Sequence, residues 1–382
     1  MAAAVRDQQE DVLDTDATDD QRALLEVTTR FIEDTCPLRA VRDGAWRDDG
    51  FAAAYRRQAA ELGWFSMLVP EAHGGGSVSG NGALDAALIA YRRGRVLQPG
   101  SFVGTNVVAA ALAEAGSGEV REQVLPALIS GTAGASWAAG AQVDDRVTAR
   151  PTGDGGLVLA GARPAVQDVE PGSWLLVTCA TDDGPAQALV EVDAPGVSAV
   201  EQASLDITRR FSEVRFADVE VPATHVVARS GESDGLLRRQ LAIACALVAA
   251  EMVGAMDADF AMTLQYAKDR IAFGRPIGSF QGVKHQLADT SLALEMSKAL
   301  ALAAARTVGA DDDYGPEAAS MAKAFVGEAG VDLVQACFQV FGGIGYTWEH
   351  DQHLYLRRIT TDAGLFGDAA WHREHQCQLA GL

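Results

Sequence analysis

The hydrophobic positions change period twice along the chain. From Gln21 the spacing of Leu24, Leu25, Val27, Phe31 and Ile32 is helical, and Pro37 ends that run. Further helices are predicted around residues 51–62, 83–93, 105–115 and 119–128. Between them, a stretch from Gly63-Trp64-Phe65 to the glycines ending at Gly76 is rich in turn residues. From about Ser136 short β-type runs take over at 156–160, 174–180, 188–192 and 213–221, separated by Gly, Pro and Asp. After Arg229 the helical period returns at 236–270, 281–308 and 316–341, with a last segment from Ala370. Helices, then strands, then helices predict an α+β multidomain chain. Its parts are an acidic tail over 1–20, a helical domain over 21–132, a central antiparallel β-domain over 133–229 and a helical bundle over 230–382.

Composition narrows the function classes. With 382 residues and 48% hydrophobic content the chain can bury more than one core. A formal charge of −21 argues against general binding to nucleic acid or anionic membranes, since both reward basic surfaces. The apolar run from Leu241 to Met256 is short for a membrane span and is interrupted by Glu251. The first twenty residues hold one arginine among seven acids, so a frayed tail without an export signal is expected. Five scattered cysteines with no CxxC pair point to reduced thiols and a cytoplasmic setting. His350, His353, His372 and His375 offer HxxH spacings, but no cysteine or carboxylate cluster accompanies them, so no metal site is expected.

Two stretches concentrate the chemistry. One runs Arg270, Phe273-Gly274, Pro276-Ile277, Phe280-Gln281, Lys284 and Leu287-Ala288-Asp289. Gly274 and Pro276 stop the helix before it, so an arginine, an aromatic and a glutamine surround one inter-helix turn. A planar guanidinium there suits a diphosphate, although arginines at helix ends are more often solvated caps. The other stretch is Gln339-Val340-Phe341-Gly342-Gly343-Ile344-Gly345-Tyr346, followed by Thr347-Trp348-Glu349-His350. Its glycines allow close backbone approach to a ligand, or a plain helix end. They do not complete a GxGxxG fingerprint.

Both stretches, in this order, resemble signatures of the acyl-CoA dehydrogenase family, the second that of its members in steroid and fatty-acid breakdown. Leu62-Gly63-Trp64 followed by Val69-Pro70-Glu71 is similar to the same family. The resemblance implies an N-terminal helical domain, a β-domain and a C-terminal four-helix bundle around FAD, with subunits sharing the flavin as dimers or tetramers. It implies α,β-dehydrogenation of an acyl-CoA, with an electron-transferring flavoprotein as acceptor. Arg270 is then expected on the FAD diphosphate with Phe273 and Gln281 nearby. Gln339, Val340, Gly342 and Gly343 are expected along the adenosine-diphosphate part of a neighbour's FAD.

The catalytic glutamate of the family has no counterpart at either usual position, which fall at Phe366 and at about Ala244. Two other carboxylates are candidates. Glu251 lies two turns beyond Ala244 on a similar face, and desolvation in such an apolar run raises the proton affinity of a carboxylate. The competing reading pairs it with an arginine. Asp368 is two residues past Phe366. The β-domain departs as well: Ala138 to Asp145 and Ala165-Val166-Gln167 lack the hydroxyls that the family places at the flavin edge. A catalytically silent partner subunit, serving a sister chain's FAD, is therefore the rival expectation. An oxidase acting on a carrier-protein thioester is a third.

Overall fold

The structure, a computed structural model, describes residues 17–139, 146–310 and 313–381. The N-terminal domain contains α1 (Asp19–Thr35), α2 (Leu38–Arg42), α3 (Asp49–Glu61), α4 (Gly82–Arg95), α5 (Phe102–Ala115), α6 (Gly118–Gln123) and α7 (Leu125–Ile129). The first helix starts earlier than its apolar period, because Thr18 and Gln21 form a reciprocal capping box. The part of the acidic tail up to residue 16 lies outside the described residues.

The strands are β1 (Ala135–Ala138), β2 (Val147–Pro151), β3 (Leu157–Gln167), β4 (Trp174–Thr181), β5 (Gly184–Glu191), β6 (Val197–Gln202), β7 (Phe211–Val221) and β8 (Val226–Ala228). They form one sheet in the order β6-β7-β3-β2-β4-β5-β8, with β1 also on β4. The sheet is mixed, which corrects the expectation of an antiparallel one. β1 runs parallel to β4 from the Ala135–Trp174 pair, and β2 meets the far end of the same edge, also in parallel, at Thr148–Ala180. The remaining pairs in this sheet are antiparallel. β1 and β2 are short and follow the helical domain and residues 140–145, so no strand alternation announced them.

The C-terminal part holds α8 (Ser233–Asp269), a two-stranded hairpin of β9 (Ile271–Ala272) and β10 (Arg275–Pro276), α9 (Gln281–Gly309), α10 (Gly315–Phe341), α11 (Gln352–Gly364) and α12 (Ala369–Leu379). α8 and the stretch Gly315–Tyr346 are long and apolar enough to cross a membrane, but 78% of the most apolar part of α8 is buried inside the chain. That is the environment of a core helix. Its neighbour α4 approaches until backbones touch: a Cβ on Gly94 would lie 1.9 Å from the Glu251 carbonyl oxygen, and one on Gly254 2.0 Å from that of Tyr91. The sheet docks on α8 through Gln240, whose amide exchanges hydrogen bonds with Gln187 at 2.7 and 2.8 Å and accepts from the Trp137 indole at 2.9 Å.

Candidate functional site

Three helix ends converge on one edge of the bundle. Tyr266, near the end of α8, packs on Phe341 at the end of α10, with ring centroids 4.7 Å apart. Gln286, early in α9, donates to the Ala336 carbonyl of α10 at 3.3 Å. The two motif stretches, distant in sequence, therefore share this edge. Between α8 and α9 the chain turns through a tight hairpin in which Phe273 and Gly274 have φ of 51° and 79°. Two successive positive φ values are the geometry of a two-residue hairpin turn, costly for Phe273 and easy for Gly274. Arg275 lies over the Phe280 ring at 4.0 Å, leaving Phe273 96% exposed.

Arg270 caps α8. Its backbone N–H reaches the Tyr266 carbonyl at 2.8 Å, its carbonyl accepts from Ile277 at 2.8 Å, and its guanidinium is exposed without an ion pair among the described residues. Gln281 and Gln339 are exposed too, and Val340 is half-buried between them and the core. Gly342 has φ 60°, while Gly343 needs no special backbone; a Cβ on either would meet nothing within 4 Å. Packing inside this chain thus gives no reason for the second glycine. An open backbone beside free guanidinium and amide donors fits a diphosphate and its nucleoside from a neighbouring molecule.

The interior is closed by contrast. Phe366, which the resemblance sets where the family's base is expected, is held at φ 58°, with its ring 5.3 Å from that of Trp137 and packed on Ala242, Cys245 and Ala319. The buried Lys323 ammonium fixes this loop by donating to the carbonyls of Ala363 at 2.9 Å and Gly367 at 3.0 Å. Beside it His372 meets Ser320 Oγ at 2.8 Å and Cys245 Sγ at 3.7 Å. Burial, with help from Lys323, pushes His372 down to about 3, and burial pushes Cys245 up to about 12. Both are neutral, so the pair is no thiolate–imidazolium nucleophile. Asp368 caps α12 by accepting from the Trp371 N–H at 2.8 Å.

Glu251 sits in an ion cluster where the three domains meet. Its Oε1 is 2.8 Å from Arg358 and 3.0 Å from Arg209. Arg358 also reaches Asp206 at 2.5 Å, Thr208 Oγ1 at 2.6 Å and the carbonyls of Leu97 and Gln98 at 3.1 and 3.3 Å. Arg209 pairs with Asp362 at 3.1 Å. Burial pushes Asp362 up to about 7 against the pull of Arg209. For Asp206, Arg358 and Arg209 outweigh burial and hold the carboxyl below its ordinary range. Sequence reasoning found Glu251 but missed both arginines, since Arg358 lies 107 residues away on a helix whose buried face is largely polar.

The β-domain's own flavin edge is only partly in view, because residues 140–145 lie outside the described ones. At the end of β3, Ala165 turns through φ 54° and Gln167 donates its amide to Asp168 at 2.9 Å. A cleft of about 860 Å³ lies between loop residues such as Met67 and Gly80, the end of α5, the start of α8 and the α9–α10 turn. Ala242 and Val308 belong both to its wall and to the packing around Phe366.

Comparison with known proteins supplies the family. The models of the acyl-CoA dehydrogenase N-terminal and C-terminal domains match residues 18–132 and 235–376. Acyl-CoA dehydrogenase FadE34 of Mycobacterium tuberculosis is 34% identical over 373 residues, covering 93% of this chain and 47% of that protein. The chain thus spans about half the length of that relative. Among solved structures, the ChsE4-ChsE5 complex from Mycobacterium tuberculosis matches with a TM-score of 0.85 at 25% identity, covering 96% of this chain and 98% of that one. A Tcur3481-Tcur3483 steroid acyl-CoA dehydrogenase variant matches at 0.83 and 26%, covering 94% and 97%. This chain belongs to the acyl-CoA dehydrogenase family of FAD-dependent oxidoreductases.

Proposed function

We propose that the chain is one subunit of an acyl-CoA dehydrogenase built from two kinds of chain. It offers the Arg270 and Gln339–Gly343 edge to the FAD of a sister subunit, and the sister supplies the catalytic carboxylate. The observation that carries this reading is Phe366: the position of the family's base holds an aromatic ring packed on Trp137, where a thioester and a carboxylate would have to meet. Bound FAD supplies the acceptor for the hydride that leaves the β-carbon of the acyl group. Arg270 would neutralise its diphosphate, Gln281 and Gln339 would hydrogen-bond along it, and Gly342 and Gly343 would allow close approach. Phe273 would pack against the sister subunit.

The ChsE4-ChsE5 complex and the steroid acyl-CoA dehydrogenase among the structural matches support a two-chain assembly and a polycyclic acyl group. An electron-transferring flavoprotein is the matching electron acceptor. The single-chain alternative, with Glu251 or Asp368 as base, requires the first to leave two guanidiniums or the second to leave its helix cap. Expression alone and together with a candidate sister chain of the same family separates the two. The expected result is a colourless chain alone and a yellow assembly that bleaches with its acyl-CoA. A chain that is yellow on its own and is reduced by an acyl-CoA would refute the proposal.

A further inference from the structure

We infer that Asp259 and Gln352 are positioning residues for the cofactor-facing turn, forming a buried pin that sets where Gly342 and Gly343 present their backbone. The inference rests on the reading of that turn given under Proposed function. Asp259 lies on α8 and is fully buried, with no ion pair among the described residues. Its Oδ2 accepts from the Gln352 amide at 3.3 Å, while Oδ1 and the Gln352 Oε1 have no hydrogen-bond partner among the described residues. The same Gln352 amide donates to the Val334 carbonyl of α10 at 3.2 Å, and the Gln352 backbone N–H reaches His350 Nδ1 at 3.1 Å. One side chain thus joins α8, α10 and the start of α11 directly below the turn.

The turn itself is stitched to this base. Phe341 packs on His350 at 4.3 Å and Phe338 on Tyr346 at 4.4 Å. Gly345 is buried, and a Cβ there would come within 3.6 Å of Gln352 Cγ. Two apolar side chains of similar size would fill the same space without the cost of desolvating a carboxyl and an amide. What they would not supply is direction: a hydrogen-bonded amide fixes the register of the turn, where packing alone tolerates slippage. The titratable groups facing Asp259 are the Cys337 thiol from α10 and the Tyr355 hydroxyl from α11, and neither is a cation at neutral pH. Burial, opposed by hydrogen bonds from Cys337 and Gln352, pushes Asp259 well above the usual carboxylate range. Asparagine keeps the shape and the accepting oxygen of this side chain without a charge, so it is the close mimic.

The test uses the flavin-bearing assembly. Asp259→Leu and Gln352→Leu are expected to speed amide hydrogen exchange across residues 342–350 and to weaken FAD retention roughly tenfold or more, the scale of lost second-layer support around a bound group. Asp259→Asn is expected to restore both. Should a leucine variant not fold, Gln352→Met carries the same expectation, since it keeps the volume and removes the amide. Unchanged FAD affinity and exchange in the Gln352 variants would overturn the inference, as would an Asp259→Asn protein no better than the leucine one. Arg270→Ala in the same assembly separates the failures. If it loses FAD while Gln352→Leu keeps it, only the pin is wrong; if both keep it, the reading of the whole edge falls with the pin.

Discussion

Glu251 and Asp259 stand two turns apart on the same apolar helix, with 2% and 0% of their surface exposed. Glu251 lies between two guanidiniums, in a cluster closed by Asp206 and Asp362. Asp259 faces an amide and a thiol, and no cation is paired with it among the described residues. Equal burial sets one carboxyl group between two guanidiniums and leaves the other with no paired cation among the described residues. A carboxylate in an apolar run is thus no sign of a catalytic base by itself. The partners brought by other segments decide its state, and here they give Glu251 a structural setting.

The largest expected effect breaks the ionic member of this pair. Glu251→Gln leaves Arg358 and Arg209 with two carboxylates to share and a neutral amide against them. Breaking a buried pair from one side costs about 3–5 kcal/mol. Denaturant unfolding of the purified chain should show a loss of that size, together with a weakened assembly and lost flavin. A loss below about 1 kcal/mol with slower flavin reduction in an intact assembly would return Glu251 to the catalytic candidates.

A smaller effect sharpens the neutral side of the comparison through pH. Asp362 is raised from 3.8 to about 7, and Asp259 is raised in the same direction, both by burial. For an acid raised on folding, the folded state holds the proton more tightly than the unfolded one. Its contribution is present below the ordinary pKa and is lost as pH rises through the folded value. Stability should therefore fall as pH rises from about 4 to about 7, the window set by Asp362, against the rise that paired carboxylates usually give. Asp362→Asn should flatten the part of that slope below neutrality, and Asp259→Asn should remove the share that Asp259 adds in the same direction. Melting temperatures across pH for the two variants check this. A wild-type profile that rises through the same window would contradict the assignment.

The comparison also explains what the sequence made legible. α8, α9 and α10 carry long apolar periods, and Arg270, Phe273-Gly274 and Gly342-Gly343 carry strong local signatures, so the order of domains and the exposed edge were readable. The helix α11 was not: its buried face is Gln352, His353, Leu354, Tyr355, Arg358, Ile359 and Asp362, four of them polar or charged, so a search for apolar spacing passes over it. Asp206 and Arg209 lie in a short polar connection that reads as an ordinary loop. The ion cluster and the Asp259 pin are assembled from these silent segments, and only the tertiary fold brings them to α8. β1 and β2 were missed for a related reason, because each is too short for alternation to register.

The smallest effect on stability belongs to the edge, and it is the one that isolates function from fold. Arg270→Ala removes a guanidinium that is exposed and makes no ion pair among the described residues, while the backbone bonds of that residue to Tyr266 and Ile277 remain. Surface substitutions of this kind change stability by no more than about 0.5 kcal/mol. Circular dichroism and the melting temperature of the chain should be unchanged. In the assembly, however, the FAD diphosphate would lose a charge-assisted partner, worth about 1.5–3 kcal/mol, so flavin retention after gel filtration should fall by tenfold or more. Glu251 gives the opposite pattern, since Glu251→Gln acts on stability first and on flavin only as a consequence. An Arg270→Ala assembly that keeps its full flavin absorbance would remove the edge from the cofactor site. A variant that loses stability along with flavin would instead show that the guanidinium serves the hairpin between α8 and α9.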